Sequence, residues 1–112
     1  MINPNTLQID SRISYQGYVA TVTALATHFV HFCIDGEDHD SVRKYEDIDP
    51  IPITEERLRD AGFVEYPTGR FRLDHFVIDD RDHIYLGSTP LVRKGAWHDL
   101  QNLVRLISGK II

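Results

Sequence analysis

The hydrophobic positions of this chain change their period along its length, and the change predicts its layout. Residues 18–23 are β-branched, aromatic or small, as a strand prefers, and Gly17 allows a tight turn ahead of them, with Tyr15-Gln16 leading in. Residues 28–34 form a second run, apolar on both faces, as expected of an interior strand. The dipeptide Asp35-Gly36 marks a turn, and residues 41–45 make a third strand. Asp49-Pro50-Ile51-Pro52-Ile53 cannot be a central strand, because each proline lacks a donor, so it is an extended connector. Thr54 then caps a short helix over 55–61, with Glu55 and Glu56 at its positive end, Leu58 and Ala61 inward and Gly62 as the stop.

Strands return after Phe63. Residues 64–66 are short and end at the turn Pro67-Thr68-Gly69, 70–78 alternate imperfectly, and 79–82 make a polar turn leading back through 83–86 as a hairpin. Gly87-Ser88-Thr89-Pro90 breaks the pattern, and Leu91-Val92 is brief. From Trp97 the period becomes helical. Trp97, Leu100, Leu103, Val104 and Ile107 make one apolar stripe, Gly109 ends the helix, and Lys110 sits by the negative end of its dipole. The expected fold class is α+β: a small, strongly bent antiparallel sheet or barrel, one short helix, a hairpin and a closing C-terminal helix, in one domain over 1–112.

Composition narrows the picture only a little. The 112 residues are 42% hydrophobic and 26% charged, as in a globular chain. No apolar run reaches the roughly 20 residues of a membrane-spanning helix, and Met1-Ile2-Asn3-Pro4 does not begin a secretory signal. The single cysteine, Cys33, excludes an intrachain disulfide and fits a reducing cytoplasm, with Cys33 a small core residue.

Two segments carry a resemblance. Ile51-Pro52-Ile53-Thr54-Glu55-Glu56-Arg57-Leu58 through Gly62-Phe63, followed by His98-Asp99-Leu100-Gln101-Asn102-Leu103 and Gly109, resembles a family of small uncharacterised proteins of Bacteroides-group prophages and mobile elements. There, a proline-flanked segment with TEE and a later GF precedes a terminal H-x-LQNL helix, in the same order. The glycine before the opening β run matches more loosely. The family pattern is richer in Lys and Tyr, and the Asp38-His39-Asp40 turn departs from it. The resemblance implies an accessory protein of a phage or mobile element and supplies no chemistry of its own.

Charge is the second informative pattern. Residues 35–60 hold ten acids and four bases, a net of −6, and the rest holds seven acids and eight bases, a net of +1. Residues 91–112 are locally basic, with Arg93, Lys94, Arg105 and Lys110 against Asp99. A negative total suits a basic protein partner better than a phosphate backbone. The candidate partner-binding residues are therefore Glu37, Asp38, Asp40, Glu46 and Asp47. The competing account is a solvated face that maintains solubility.

Catalytic chemistry finds no motif. No serine lies in a Gly-x-Ser-x-Gly elbow, and the seven glycines are single turn residues rather than a phosphate loop. Two Asp/His turns could in principle hold a metal: 35–40, and 74–83, where a hairpin would bring His75 toward His83. Asp-rich turns are commoner than metal sites, because Asp bonds its own backbone there. His28 and His31, three apart on a strand, face opposite ways. His98, Gln101 and Asn102 flank the helix stripe and are expected to fix its docking by hydrogen bonds. No catalytic residue, metal or cofactor is assigned. The expectation is a cytoplasmic, non-enzymatic protein that binds a host protein with a basic surface, inhibiting a nucleic-acid-handling or defence system. It touches neither nucleic acid nor membrane directly, and a homo-oligomer is compatible with it. The alternatives are a binder of a small ligand or nucleotide signal, or a metal-dependent hydrolase using the Asp/His turns.

Overall fold

A computed structural model describes residues 2–66 and 68–112; the turn residue Pro67 lies outside the described residues. The fold is α+β, with two antiparallel five-stranded sheets, one curled into a half-barrel, a short helix and a longer C-terminal helix. The chain divides into two compact units, Met1–Ile51 and Pro52–Ile112.

The first unit contains β1 (Arg12–Tyr15), β2 (Tyr18–Leu25), β3 (Phe29–Ile34), β4 (Ser41–Lys44) and β5 (Asp49–Pro50), in the order β4-β3-β2-β1-β5. The lead-in before Gly17 is itself a strand. β1 turns into β2 through Gln16-Gly17, both at positive φ (50° and 84°), the twist a two-residue hairpin needs. The proline connector supplies the edge strand β5, where Pro50 pairs with Ile13 and a missing donor is tolerated. His28 precedes β3, so the two-faced placement of His28 and His31 does not arise as expected. A bulge between Val22 and Ala24 bends β2. Alternation sends Ile13, Ala20, Val22, Val30 and Phe32 inward, where Ile2, Leu7 and Ile48 complete the core.

In the second unit Thr54 Oγ1 accepts the Arg57 N–H and caps α1 (Glu55–Asp60). Leu58 is buried, Ala61 half-buried, and Gly62 (φ 98°) turns the chain into buried Phe63. The sheet that follows is β6 (Val64–Glu65), β7 (Phe71–Leu73), β8 (Phe76–Ile78), β9 (Ile84–Leu86) and β10 (Thr89–Val92), paired in sequence order. Two expectations are corrected here. Residues 70–78 are two strands, because Asp74 takes φ 53° and starts a turn that Asp tolerates. Thr89-Pro90 does not end the pattern but begins β10, whose outer position and bulge accommodate the proline.

The C-terminal helix α2 runs Trp97–Ser108 and ends at Gly109 with φ 74°. The Asp99 carboxylate accepts the Ala96 N–H at its start. Its buried face is Trp97, His98, Leu100, Gln101 and Val104; Leu103 is only half-buried and Ile107 is exposed. The stripe is therefore turned toward His98 and Gln101 relative to the apolar pattern. The chain approaching α2 crosses the side of the sheet that carries Ile84: a Cβ on Gly95 would meet Ile84 Cδ1 at 2.7 Å. Beyond the helix, Lys110 Nζ reaches Asp74 at 2.6 Å. Among the described residues no helix is long and apolar enough to cross a membrane.

Candidate functional site

The residues with the strongest functional signal in the sequence, Glu37, Asp38 and Asp40, lie in the loop joining β3 to β4. Gly36, at φ 87°, turns the chain, and the loop is tied down on several sides. The Asp35 N–H donates to Val19 O at 3.0 Å, and the Glu37 N–H donates to Ile34 O at 3.0 Å. The Cys33 thiol donates to Glu37 O at 3.2 Å. Thr23, the bulge residue of β2, donates its hydroxyl to Asp40 Oδ2 at 3.0 Å. Arg12 holds Asp35 through both terminal nitrogens, at 2.8 and 2.6 Å, and also donates to Thr21 Oγ1 at 2.7 Å. The Arg12 hydrogen bond, against a smaller opposing effect of burial and with help from the guanidinium charge, lowers the Asp35 pKa below the ordinary carboxylate value.

The remaining carboxylates face water. His39 stands between Glu37 (Nε2–Oε2, 3.3 Å) and Asp38 (Nδ1–Oδ1, 3.5 Å), and all three side chains are well exposed. Glu46 and Asp47 are not part of this cluster. They sit in a single 3-10 turn, Tyr45–Asp47, at the far end of β4, with Lys44 Nζ 4.0 Å from Glu46. The four residues of β4 separate the two acidic ends by about 13 Å at the usual strand rise. Arg43, on that strand, donates Nε to Tyr15 Oη at 2.8 Å and packs over its ring. The acidic run 35–60 is thus not one face: its first seven acids belong to the first unit, and Glu55, Glu56 and Asp60 belong to the second. The first unit holds eight acids against three bases, a net of −5, and the second holds nine of each.

The second Asp/His cluster resolves into a turn lock. Asp79 Oδ1 accepts the N–H groups of Arg81 (2.9 Å) and His83 (3.0 Å). Its Oδ2 meets the Tyr85 hydroxyl at 3.2 Å and His83 Nδ1 at 3.3 Å. Burial pushes the Asp79 carboxyl up, but these hydrogen bonds outweigh it and leave the pKa lowered. Asp82 is raised, by burial and by the neighbouring Asp79 charge. Tyr85 is raised, by burial and by its bond to Asp79. His75 does not approach His83. The His75 carbonyl accepts from Gly87 at one end of the β8–β9 pair, and His83 pairs with Asp79 at the other. Among the described residues no group of three or more His, Cys, Asp or Glu is placed to hold a metal ion.

On α2, Gln101 Nε2 donates to the Ile112 carbonyl at 3.0 Å, the backbone-docking role its place on the helix suggested. His98 is buried, and burial lowers its pKa more than the Asp99 carboxylate, 3.7 Å from Nε2, raises it. Sequence reasoning missed Arg12 and Thr23, which secure the acidic loop from strands distant in sequence. It also missed Arg70, just before β7, and Arg72 within it, which line one groove together. No protein-family model matches this chain, and no curated protein or solved structure matches it either.

Proposed function

We propose that the chain is a non-enzymatic binding protein whose acidic first unit docks on a basic surface of a protein partner, with Glu37, Asp38 and Asp40 at the contact and Glu46 and Asp47 adding to the field. The observation that carries this reading is the confinement of the whole net charge of −5 to Met1–Ile51. A loop already fixed by Arg12–Asp35 and Thr23–Asp40 has little ordering entropy to lose when it binds, which favours a recognition role over a purely solvating one. The resemblance to prophage and mobile-element proteins makes a cytoplasmic host protein that handles nucleic acid or serves defence the partner class, and inhibition the effect.

The test starts with capture of the partner from host lysate, then compares the parent with a Glu37→Lys, Asp38→Lys, Asp40→Lys triple variant across a salt series. Weaker binding with a flatter salt dependence is expected, at a melting temperature lowered only slightly, because Glu37 and Asp38 are exposed, Asp40 gives up one exposed bond from Thr23, and the Arg12–Asp35 pair still holds the loop. Equal binding by the triple variant at every salt concentration would reduce the acidic loop to a solubility feature.

A further inference from the structure

On the side of the second sheet away from Ile84, a groove of about 440 Å³ runs along β8. Its position follows from strand alternation. Arg72, Val77 and Tyr85 are register partners across β7, β8 and β9, so their side chains share one side, opposite the buried row Phe71–Ile78–Ile84. Buried Val77 makes an apolar floor, Tyr85 one wall, and Arg70 with Arg72 the other. His75 and Ser88 close one end, where the Gly87 N–H donates to the His75 carbonyl.

The charges in and around this groove are unequally satisfied. Asp74, on its rim, is held by Lys110 Nζ at 2.6 Å. Asp79, under the Tyr85 hydroxyl, already accepts from two backbone N–H groups and from Tyr85, and meets His83. The guanidiniums are not paired in this way: among the described residues neither Arg70 nor Arg72 has a carboxylate partner. Arg72 is oriented by one bond, Nε to the Tyr66 carbonyl at 3.0 Å, which leaves both terminal nitrogens as a fork. Arg70, just before β7, lines the same groove two residues away. Two guanidiniums on one wall, neither held by a carboxylate, form an oxyanion receptor, and the facing tyrosine ring and valine floor suit a flat apolar group. The volume falls within the range of about 300–1,000 Å³ typical of small-molecule clefts.

We propose that this groove binds a small phosphorylated ligand of the nucleoside monophosphate class, with its phosphate between Arg70 and Arg72 and its base against Tyr85. The site belongs to the electrically neutral second unit, so the acidity of the first is no argument against an anion here.

Titration calorimetry of the full chain with adenosine monophosphate, inorganic phosphate, adenosine and a short single-stranded RNA tests the assignment. Saturable binding of adenosine monophosphate is expected, tighter than that of phosphate or adenosine alone. An Arg70→Gln, Arg72→Gln double variant should lose at least tenfold in affinity, and Arg57→Gln, whose guanidinium donates to the Pro52 carbonyl outside the groove, should lose nothing. Tyr85→Leu should weaken the nucleotide and leave inorganic phosphate unchanged. Absence of saturable nucleotide binding, or equal affinity in the double variant at an unchanged melting temperature, overturns the site. Equal affinity for nucleotide and phosphate overturns the nucleoside assignment, and tighter binding of the RNA than of the mononucleotide overturns the small-ligand reading in favour of a strand.

Discussion

His98 illustrates how much one side chain's surroundings decide. It lies on the buried face of α2 at 3% exposure, and burial favours its neutral form. Below the ordinary imidazole value of 6.5 the unfolded chain takes up a proton that the folded chain resists. The unfolded state then binds more protons, so stability rises with pH through this window and falls on acidification. The melting temperature should therefore drop between pH 7 and pH 5, and His98→Gln should flatten that slope; an unaltered slope in the variant would place the acid sensitivity elsewhere. Asp35 acts at lower pH. Its lowered pKa contributes stability that is present above 3.8 and lost as pH falls further, so Arg12→Met should remove part of the acid limb without touching the His98 window.

At the scale of elements, the close approach of Gly95 to Ile84 gives a sharp test of how the chain reaches α2. A methyl at Gly95 would lie 2.7 Å from Cδ1 of fully buried Ile84 and 3.4 Å from Val92 Cγ1, so the Ile84 side chain must turn aside within the core. Gly95→Ala should cost about 1–3 kcal/mol, as overpacking does. Ile84→Val removes the colliding carbon, so the double variant should be less destabilised than the sum of the singles; strict additivity in denaturant melts would refute the contact. Within α2 the buried Leu100 and Trp97 should each cost about 2–5 kcal/mol as alanine, half-buried Leu103 less, and Leu106, at 80% exposure, almost nothing.

This ordering also marks what the sequence could reveal. The positions of α1 and α2 and their caps Thr54 and Gly109 were legible, because period, N-cap and left-handed stop are local properties. The strand Arg12–Tyr15 and the split at Asp74 were not. The first is polar at alternate positions and is defined by its partner Tyr18–Leu25, and the second rests on one positive φ that Asp tolerates but does not announce. The rotation of α2 toward His98 and Gln101 was hidden for a similar reason, since a polar side chain can be buried once it finds partners such as the Ile112 carbonyl. For the candidate site, Glu37, Asp38 and Asp40 were visible as a cluster. Their separation from Glu46 and Asp47 depends on β4 pairing with β3, which is a long-range fact.

At the scale of the molecule, net charge and contact must be told apart. All carboxylates of the first unit contribute to its long-range field, whether or not they touch a partner, and that field acts on the encounter over about one Debye length, near 8 Å at physiological salt. Only those at the contact also affect dissociation. The two acidic ends of β4 make the distinction measurable. Reversing Glu46 and Asp47 should lower the association rate and its salt dependence while leaving the dissociation rate of the partner near that of the parent. Reversing Glu37, Asp38 and Asp40 should lower the association rate and also speed dissociation, because the fixed loop loses its own contacts. Stopped-flow association and surface-based dissociation, each measured at several ionic strengths, separate the two. If both sets change association alone, the partner is steered by the first unit but seated elsewhere on the chain. If the Glu46, Asp47 pair alone speeds dissociation, the contact lies at the 3-10 turn, and the β3–β4 loop only contributes to the field.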